Sequence, residues 1–408
     1  MNTAPAPALV EAALRRWLDA HGIASYDPYD ALDCGRPWSL VRRSRFLARL
    51  WTQLLKRSPL NLRPLVGIRP HASAKSLADL AAAALLRQRL GGDPGAGAAA
   101  RDLLGALRRA VVPGHRGACW GMPTAYVSRY IAVEARTPNL FWSVVAAQAF
   151  LEAFEMEGDR SDLALARSVA DFLRGDLGAV DEGDGGVWFR YFAHHEAAVY
   201  NVTALAGAFL LRLSRHTGES DLASLGRRAL HFVLQHQNGD GSWDYARGPE
   251  GRWVDGFHTG YVLEALLQAS LLERNPDWEA ALRRGVRFYH EQLFTADHVP
   301  RYLAGRLHPI EVQNCAQAIQ TLALLCWWDA KELERAQAVT RAVTRLLFRC
   351  TRQGPEEAGY FLLSRGRFVT NPLPAVRWGQ APMLLALTHL RAAAAGLRPA
   401  WESAERRA

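Results

Sequence analysis

The sequence predicts an all-α fold, a toroid of six helical hairpins, (α/α)6, with short extended turns between the hairpins. Aromatic or apolar pairs that close amphipathic helices recur about every sixty residues, the length of two helices with their connections. After each pair come a polar turn, a short extended aromatic stretch and a helix that is apolar almost all round. The pairs are Phe172-Leu173, Phe232-Val233, Phe288-Tyr289 and Leu347-Phe348.

The helices alternate between two kinds. One kind is apolar on nearly every side, which is typical of a helix buried on both faces, and the other carries one charged face, which is typical of an outer helix. Inner helices are predicted to start near Ser76, Asn139, Ala197, His258, Val312 and Gly379. Outer helices are predicted to start near Gly97, Ser161, Ser220, Pro276 and Lys331, with a sixth from residues 8–20 or 44–57.

A closed ring is expected because an open stack would leave two apolar end faces in water. The ring is assigned to residues 76–395. Residues 1–75 are interpreted as an N-terminal helical extension that packs on the ring and can close it, and residues 396–408 as a C-terminal tail.

Composition favours a globular chain without a membrane span. The hydrophobic fraction is 49% and the charged fraction 22%, which are ordinary for a soluble protein. No stretch reaches the roughly 18 apolar residues that cross a bilayer. The N-terminus lacks the basic and apolar regions of a signal peptide, so we expect a cytoplasmic location.

The formal net charge is +9, and Lys accounts for only three of the 49 basic residues. Arginine suits bidentate binding of carboxylate or phosphate groups, although a high-GC genome also enriches arginine. Basic runs interleaved with aromatic residues are missing, so no nucleic-acid partner is expected. The five cysteines are scattered and form no Cys-x-x-Cys pair, which predicts buried or semi-buried reduced thiols and no metal site. We also expect no cofactor.

One repeat carries a recognisable motif. Arg228, Phe232, Gln237, Gly241 and Trp243 stand at the spacing of the QW motif of the squalene cyclase and prenyltransferase toroids. The resemblance implies that the Gln caps the next helix and that the Trp stacks beside it. The acidic motifs of those enzymes and their zinc ligands are missing, so the motif indicates a toroid rather than terpene chemistry.

Over residues 25–395 the chain resembles the VpsJ-like proteins of polysaccharide biosynthesis clusters. The resemblance rests on the segments Tyr26–Asp30, Lys56–Pro64, Phe257–Gly260 and Arg377–Gln380. It implies a role in surface polysaccharide synthesis, a glycan or small anionic sugar as substrate, and contact with the polysaccharide assembly machinery. Related toroids occur in glucuronyl epimerases, unsaturated glucuronyl hydrolases and polysaccharide lyases.

The starts of the inner helices are predicted to share one end of the ring. Their free N–H groups and positive dipole ends favour an anionic ligand there. The substrate-binding candidates are Arg136, Asn139, Tyr191, His195, Tyr200, Asn201, Trp243, Tyr245, Tyr302, Asn314, Arg377, Trp378 and Gln380. The catalytic candidates are Asp255, His258, Tyr261, Glu196 and Glu311.

Each candidate also has a structural interpretation. The three asparagines stand where helix caps are expected, the aromatic residues can pack around their turns, and His258 can be a buried structural histidine. Asp255 and His258 are three residues apart, so on a helix the carboxylate can orient the imidazole.

The reaction stays open at this point. A hydrolase needs two carboxyl groups, for which Glu196 and Glu311 are candidates. A uronate epimerase or lyase needs a cation or amide beside the sugar carboxylate, as Arg377, Arg136 or the asparagines offer, and a Tyr or His base. A non-catalytic glycan-binding or scaffold protein, and a terpenoid cyclase or prenyltransferase-like enzyme, are the alternatives.

Overall fold

The structure, a computed structural model, describes residues 6–35, 38–128, 131–353 and 356–402. Six helices form an inner ring: α3 (Ala74–Leu90), α5 (Leu140–Glu157), α7 (Tyr200–Thr217), α9 (Gly256–Leu272), α11 (Val312–Leu325) and α13 (Ala381–Ala394). Each inner helix packs on the next, and α13 packs on α3, so the ring is closed. The predicted (α/α)6 toroid is confirmed.

An outer helix covers each inner one. Five follow their inner partners along the chain: α4 (Ala96–Arg109), α6 (Arg160–Phe172), α8 (Ser220–Gln235), α10 (Pro276–Gln292) and α12 (Lys331–Leu347). The sixth outer helix is α1 (Pro7–His21), which packs on α13 and α12. Of the two sequence segments proposed for this position, residues 8–20 therefore take it. Residues 44–57 correspond to α2 (Arg45–Arg57), which packs near the rim of the ring against β1 (Tyr126–Val127).

Short antiparallel strands fill the connections. β1 pairs with β2 (Ala132–Val133), β3 (Ala179–Asp181) with β4 (Val187–Phe189), and β6 (Phe348–Gln353) with β7 (Glu356–Phe361). A three-stranded sheet has the order β5 (Ile310–Glu311), β8 (Ser364–Arg365) and β9 (Thr370–Asn371). In the longest pair, Phe348 lies opposite Phe361.

Small residues bring inner and outer helices close together. A Cβ atom on Gly207 of α7 would lie 3.0 Å from the carbonyl oxygen of Gly226 on α8. Larger side chains would therefore push the two layers apart. None of the described helices combines the length and the apolar character that crossing a bilayer requires.

The QW-like residues connect neighbouring outer helices. Trp243 is buried and donates from Nε1 to the carbonyl of Val233 at 2.9 Å. Gln237 donates to the carbonyl oxygens of Gly241 at 2.9 Å and Ala281 at 3.0 Å. Ala281 lies within α10, so the Gln side chain joins the α8 loop to the next outer helix rather than to the start of α9.

The bore of the ring holds a polar cluster around Glu264 of α9. Its carboxylate accepts hydrogen bonds from Gln317 at 2.6 Å, Gln320 at 3.0 Å and Thr321 at 2.7 Å, all on α11. The side chain lines an internal cavity of about 140 Å³. Burial raises the pKa of Glu264 to about 7, above its ordinary value of 4.5.

This pKa predicts a pH-dependent stability. The folded protein favours the protonated carboxyl, so the stabilisation is fully present below pH 4.5 and is lost as the pH rises through about 7. Between pH 5 and pH 8 the wild type should lose of the order of 2 kcal/mol in free energy of unfolding relative to Glu264→Gln, measured by urea denaturation. The exposed Glu291→Gln is the control, and its free energy of unfolding should change with pH as that of the wild type does. The same pH dependence in all three proteins would contradict the prediction.

Candidate functional site

The starts of all six inner helices border one cavity of about 630 Å³. Each inner helix, or the residues just before it, contributes polar or aromatic side chains to the cavity wall. They include Lys75, Asn139, Asn201, Asp255, His258, Glu311, Gln313, Asn314, Arg377 and Trp378. The geometry follows from ring closure, because parallel inner helices present their N-termini at the same end.

The structure brings most of the sequence-predicted residues to this cavity. Those that line it are Asn139, Tyr191, His195, Asn201, Tyr245, Asp255, His258, Tyr302, Glu311, Asn314, Arg377 and Trp378. Six others do not: Arg136, Glu196, Tyr200, Trp243, Tyr261 and Gln380.

Two of the six are on the outer surface. Arg136 is exposed at a turn where its φ is +63°, and its main-chain N–H donates to the carbonyl of Met122. Glu196 is exposed and lies 3.3 Å from Arg190. Both stand in loops before an inner helix, and the loops turn them outward.

The other four are buried in the walls. Tyr200 packs against His236 with ring centroids 5.2 Å apart, and Trp243 donates a hydrogen bond from Nε1 to the carbonyl of Val233. Gln380 clamps the main chain of Phe361, donating to its carbonyl at 2.7 Å and accepting from its N–H at 2.9 Å.

Tyr261 lies one helical turn below the cavity, beside Phe257 and lining the bore instead. Its ring packs edge-on against Phe141 at 5.3 Å. Burial raises its pKa well above 10, so the hydroxyl stays protonated.

Asp255 and His258 form a pair at the first turn of α9. Asp255 is the N-cap residue and accepts the main-chain N–H of His258 at 2.7 Å. The same carboxylate lies 2.8 Å from Nδ1 of His258 through Oδ2. The carboxylate therefore fixes the proton on Nδ1 and leaves Nε2 free to accept a proton. The side chain of His258 remains 25% exposed, at the cavity wall.

Aromatic rings surround this imidazole. Tyr245 stacks on Trp253 with centroids 4.5 Å apart and an interplanar angle of 13°. The imidazole of His258 packs edge-to-face with both rings, with centroid distances of 4.8 Å to Tyr245 and 5.3 Å to Trp253. It packs in the same way with Phe257 at 4.9 Å. The rings fix the imidazole and offer apolar faces beside it.

The three asparagines have different roles in the helices. Asn139 caps α5, accepting from the main-chain N–H of Trp142 at 3.0 Å. Asn201 and Asn314 are not caps, because Val199 and Glu311 hold the N-cap positions of α7 and α11. The cap interpretation is wrong for these two residues.

Several buried polar atoms in the cavity wall have no hydrogen-bond partner among the described residues. They include Oδ1 of Asn201, Oε1 of Gln313 and Nε1 of Trp378. Buried polar groups are nearly always paired in folded proteins. Each of these atoms has almost no accessible surface, so a ligand in the cavity would reach it only if the side chains of the wall moved.

The N-terminal extension supplies residues that the sequence analysis did not assign to the site. Tyr29 lines the cavity, and its hydroxyl lies 2.5 Å from Nζ of Lys56 on α2. The same Nζ lies 3.4 Å from Glu311. Burial lowers the pKa of Lys56, but Tyr29 and Glu311 outweigh this and the net direction is upward, so the ammonium stays charged. Both residues fall within the segments Tyr26–Asp30 and Lys56–Pro64 that carried the resemblance.

Arg377 is already paired. Its guanidinium binds both carboxylate oxygens of Asp27, with Nη2 2.6 Å from Oδ1. Burial raises the pKa of Asp27, but Arg377 outweighs this and the net direction is downward. The guanidinium carbon lies 4.8 Å from the ring of Trp378. Asp27 therefore already pairs with the guanidinium that the sequence analysis offered to a substrate carboxylate, while Arg377 still lines the cavity.

Two tyrosines of the cavity, Tyr126 and Tyr302, stay protonated at neutral pH and can donate hydrogen bonds. Burial raises the pKa values of Tyr126 and Tyr302 to about 12. The pKa of His195 is lowered by burial, which keeps this imidazole neutral. Within the described part of the chain, His, Cys, Asp and Glu side chains do not gather in any group of three or more that could hold a metal ion.

Three solved structures with a similar fold carry the names of enzymes that act on sugars. One is the cellobiose 2-epimerase from Spirochaeta thermophila, with a TM-score of 0.60, 15% identity, and coverage of 88% of this chain and 99% of that one. Another is an unsaturated glucuronyl hydrolase specific for heparin, with a TM-score of 0.62, 11% identity, and coverage of 96% of this chain and 98% of that one. A third is an α-1,6-mannanase from Salegentibacter sp., with a TM-score of 0.58, 10% identity, and coverage of 79% of this chain and 90% of that one.

At these identities the likeness shows the fold. No protein-family profile matches the chain, and no curated protein matches its sequence. The class defined by the fold and the cavity is therefore an (α/α)6 toroid with a polar and aromatic cavity at the N-terminal end of its inner helices.

The Asp27–Arg377 pair should hold the N-terminal extension on the ring. Asp27→Asn leaves a buried guanidinium without its countercharge, so we expect a loss of about 3 kcal/mol in the free energy of unfolding. Cleavage by protease in the segment before α3 should also become faster. Urea denaturation and limited proteolysis measure both effects. The exposed Asp19→Asn is the control, and equal behaviour of the two variants would contradict the prediction.

Proposed function

We propose that this protein is an enzyme that modifies a glycan in the large cavity, with His258 as the residue that transfers the proton. The observation that carries the proposal is the contact of 2.8 Å between Nδ1 of His258 and Asp255. It leaves Nε2 as an acceptor in the cavity wall. An imidazole oriented in this way by a carboxylate is a common general base.

The cavity suits a sugar. Sugar rings have C–H faces that stack on aromatic rings, and hydroxyl groups that need donors and acceptors. Tyr245, Trp253 and Trp378 supply the aromatic faces, and the side-chain amides of Asn201, Gln313 and Asn314 also belong to the cavity wall. A dry cavity without polar groups would have favoured the terpenoid alternative, and this cavity has many.

The substrate is proposed to be a glycan that contains uronic acid or another anionic sugar. Six helix N-termini face the cavity, and their partial positive charge favours an anion. Lys56 adds a charged ammonium beside Tyr29 and Glu311. Arg377 contributes little to this field because Asp27 neutralises it.

Epimerase or lyase chemistry fits these residues better than hydrolysis. Both reactions begin with removal of the proton next to the sugar carboxylate, and His258 is the base that we propose for this step. A hydrolase needs a carboxyl group held protonated in apolar surroundings. Asp255 is engaged by His258 and by the α9 main chain, and Glu311 lies beside Lys56, so neither has such surroundings.

The wider role is proposed from the resemblance to polysaccharide biosynthesis proteins. From it we propose a role in the assembly of a surface polysaccharide, in contact with the assembly machinery, and we propose separately that the protein is cytoplasmic. The similar folds of a cellobiose 2-epimerase and an unsaturated glucuronyl hydrolase support sugar chemistry. A glycan-binding protein without catalysis is the alternative.

Replacing His258 with Ala should abolish the reaction while leaving glycan binding largely intact. We expect turnover to fall about a hundredfold to ten-thousandfold, the contribution of a positioned base. Asp255→Asn keeps the helix cap but weakens orientation of the imidazole, so its loss should be smaller. The assay follows exchange of the C5 proton of uronate-containing glycans in D₂O by NMR, and the absorbance of unsaturated products.

His194→Ala is the control, since this exposed histidine lies outside the cavity and should leave turnover unchanged. If the wild type binds a uronate glycan but neither exchanges C5 protons nor forms unsaturated product across a broad panel, the protein is a binding module. Equal turnover in His258→Ala and the wild type would remove His258 from the mechanism.

A further inference from the structure

The net positive charge of the chain comes from one segment that lacks acidic residues. Residues 34–78 contain ten Arg and Lys and no Asp or Glu, whereas the rest of the sequence holds 39 basic and 40 acidic residues. The net charge of +9 therefore comes from this segment. Helix α2 lies in its middle, and Arg43, Arg45, Arg49 and Arg57 on or next to this helix are all exposed. Among the described residues, none of these four arginines has an ion-pair partner.

One face of α2 is apolar and exposed. Phe46 is 71% exposed, Leu50 58%, Leu54 56% and Leu47 46%. Spacings of three, four and eight residues place these four side chains on one face of the helix. We call this set the α2 face. Exposed clusters of large apolar side chains mark interaction surfaces.

The opposite face of α2 fixes the helix to the protein. Ala48, Thr52 and Leu55 are buried, and Nε1 of Trp51 donates to the carbonyl of Ala31 at 3.0 Å. At the C-terminal end, Asn371 donates to the carbonyl of Lys56 at 2.8 Å. The α2 face is therefore presented to solvent by a helix that is anchored along its other side.

We propose that α2 docks the protein on the surface of an anionic membrane. A helix that lies in a membrane interface has an apolar face bordered by Lys and Arg, and it combines burial of that face with attraction to anionic lipids. The α2 face and the four exposed arginines have this arrangement. Because no described helix can cross a bilayer, the contact is peripheral.

Charge favours a lipid surface over a second copy of this chain. Pairing two α2 faces would bring the arginines of both copies together, which costs free energy through repulsion. An anionic lipid surface instead complements them, and each basic residue near such a surface is worth about fivefold in binding.

The placement of α2 relates the membrane to the large cavity. The same helix carries Lys56, which contacts Tyr29 in the cavity wall. The β8–β9 loop beside the end of α2 adds a further exposed apolar side chain, Phe368, at 89% exposure. Docking through α2 would hold the rim of the cavity near the membrane, where substrates with lipid anchors are found. The docking itself does not depend on the proposed reaction.

The test is flotation of the full chain with vesicles of phosphatidylcholine alone or mixed with phosphatidylglycerol. The wild type should bind the mixed vesicles and not the neutral ones, and binding should weaken as salt is raised. Leu50→Glu should lower the partition coefficient at least tenfold. The matched control is Leu9→Glu, a Leu on α1 that is 64% exposed, and it should bind like the wild type.

A second pair of variants tests the charge. Arg49→Gln combined with Arg57→Gln should weaken binding about tenfold or more, whereas Arg341→Gln combined with Arg345→Gln on α12 should not. Thermal unfolding verifies that each variant is folded. Equal binding to neutral and mixed vesicles, no binding to either, or unchanged binding by Leu50→Glu would overturn the proposal. A wild-type dimer that Leu50→Glu converts to monomer, seen by light scattering, would assign the α2 face to a second copy instead.

Discussion

Closure of the inner ring is the constraint on which the other features depend. The six inner helices are apolar on nearly every side, so each must be covered by two neighbours and by an outer helix. Packing of α13 on α3 completes this burial, and α1 covers α13 from the outside. Without closure, two apolar faces would meet water and the helix starts would have no common end.

Closure also explains why the cavity is polar in a molecule with an apolar core. The first turn of each inner helix has N–H groups without partners in the helix, and residues that satisfy them collect there. Asp255 serves both needs, since it caps α9 and orients His258. Asn201 and Gln313 also belong to the cavity wall, but neither residue holds the N-cap position of its helix.

The N-terminal extension connects three parts of the molecule. Asp27 binds Arg377, which lies just before α13, and Tyr29 is part of the cavity wall. Helix α2 contacts Tyr29 through Lys56 and presents an apolar face to solvent. A single short segment thus joins the end of the ring, the cavity and a candidate membrane surface. The part of the chain between Asp33 and Asp79 contains no acidic residue, so this segment is strongly basic.

By itself the sequence determined the local pattern: helices of two kinds, a repeat of about sixty residues, a ring, and the pairing of Asp255 with His258 on one turn. The two kinds of helix and the Asp255–His258 pair depend on the helical period, which acts over a few residues, and the ring follows from the repeat of about sixty residues. Only the tertiary structure decided which loops turn inward, so Arg136 and Glu196 proved to be outside the cavity. It also paired Arg377 with Asp27, 350 positions away, and placed Lys56 beside Glu311. Contacts between such distant residues depend on how the whole ring packs, and no local period encodes them.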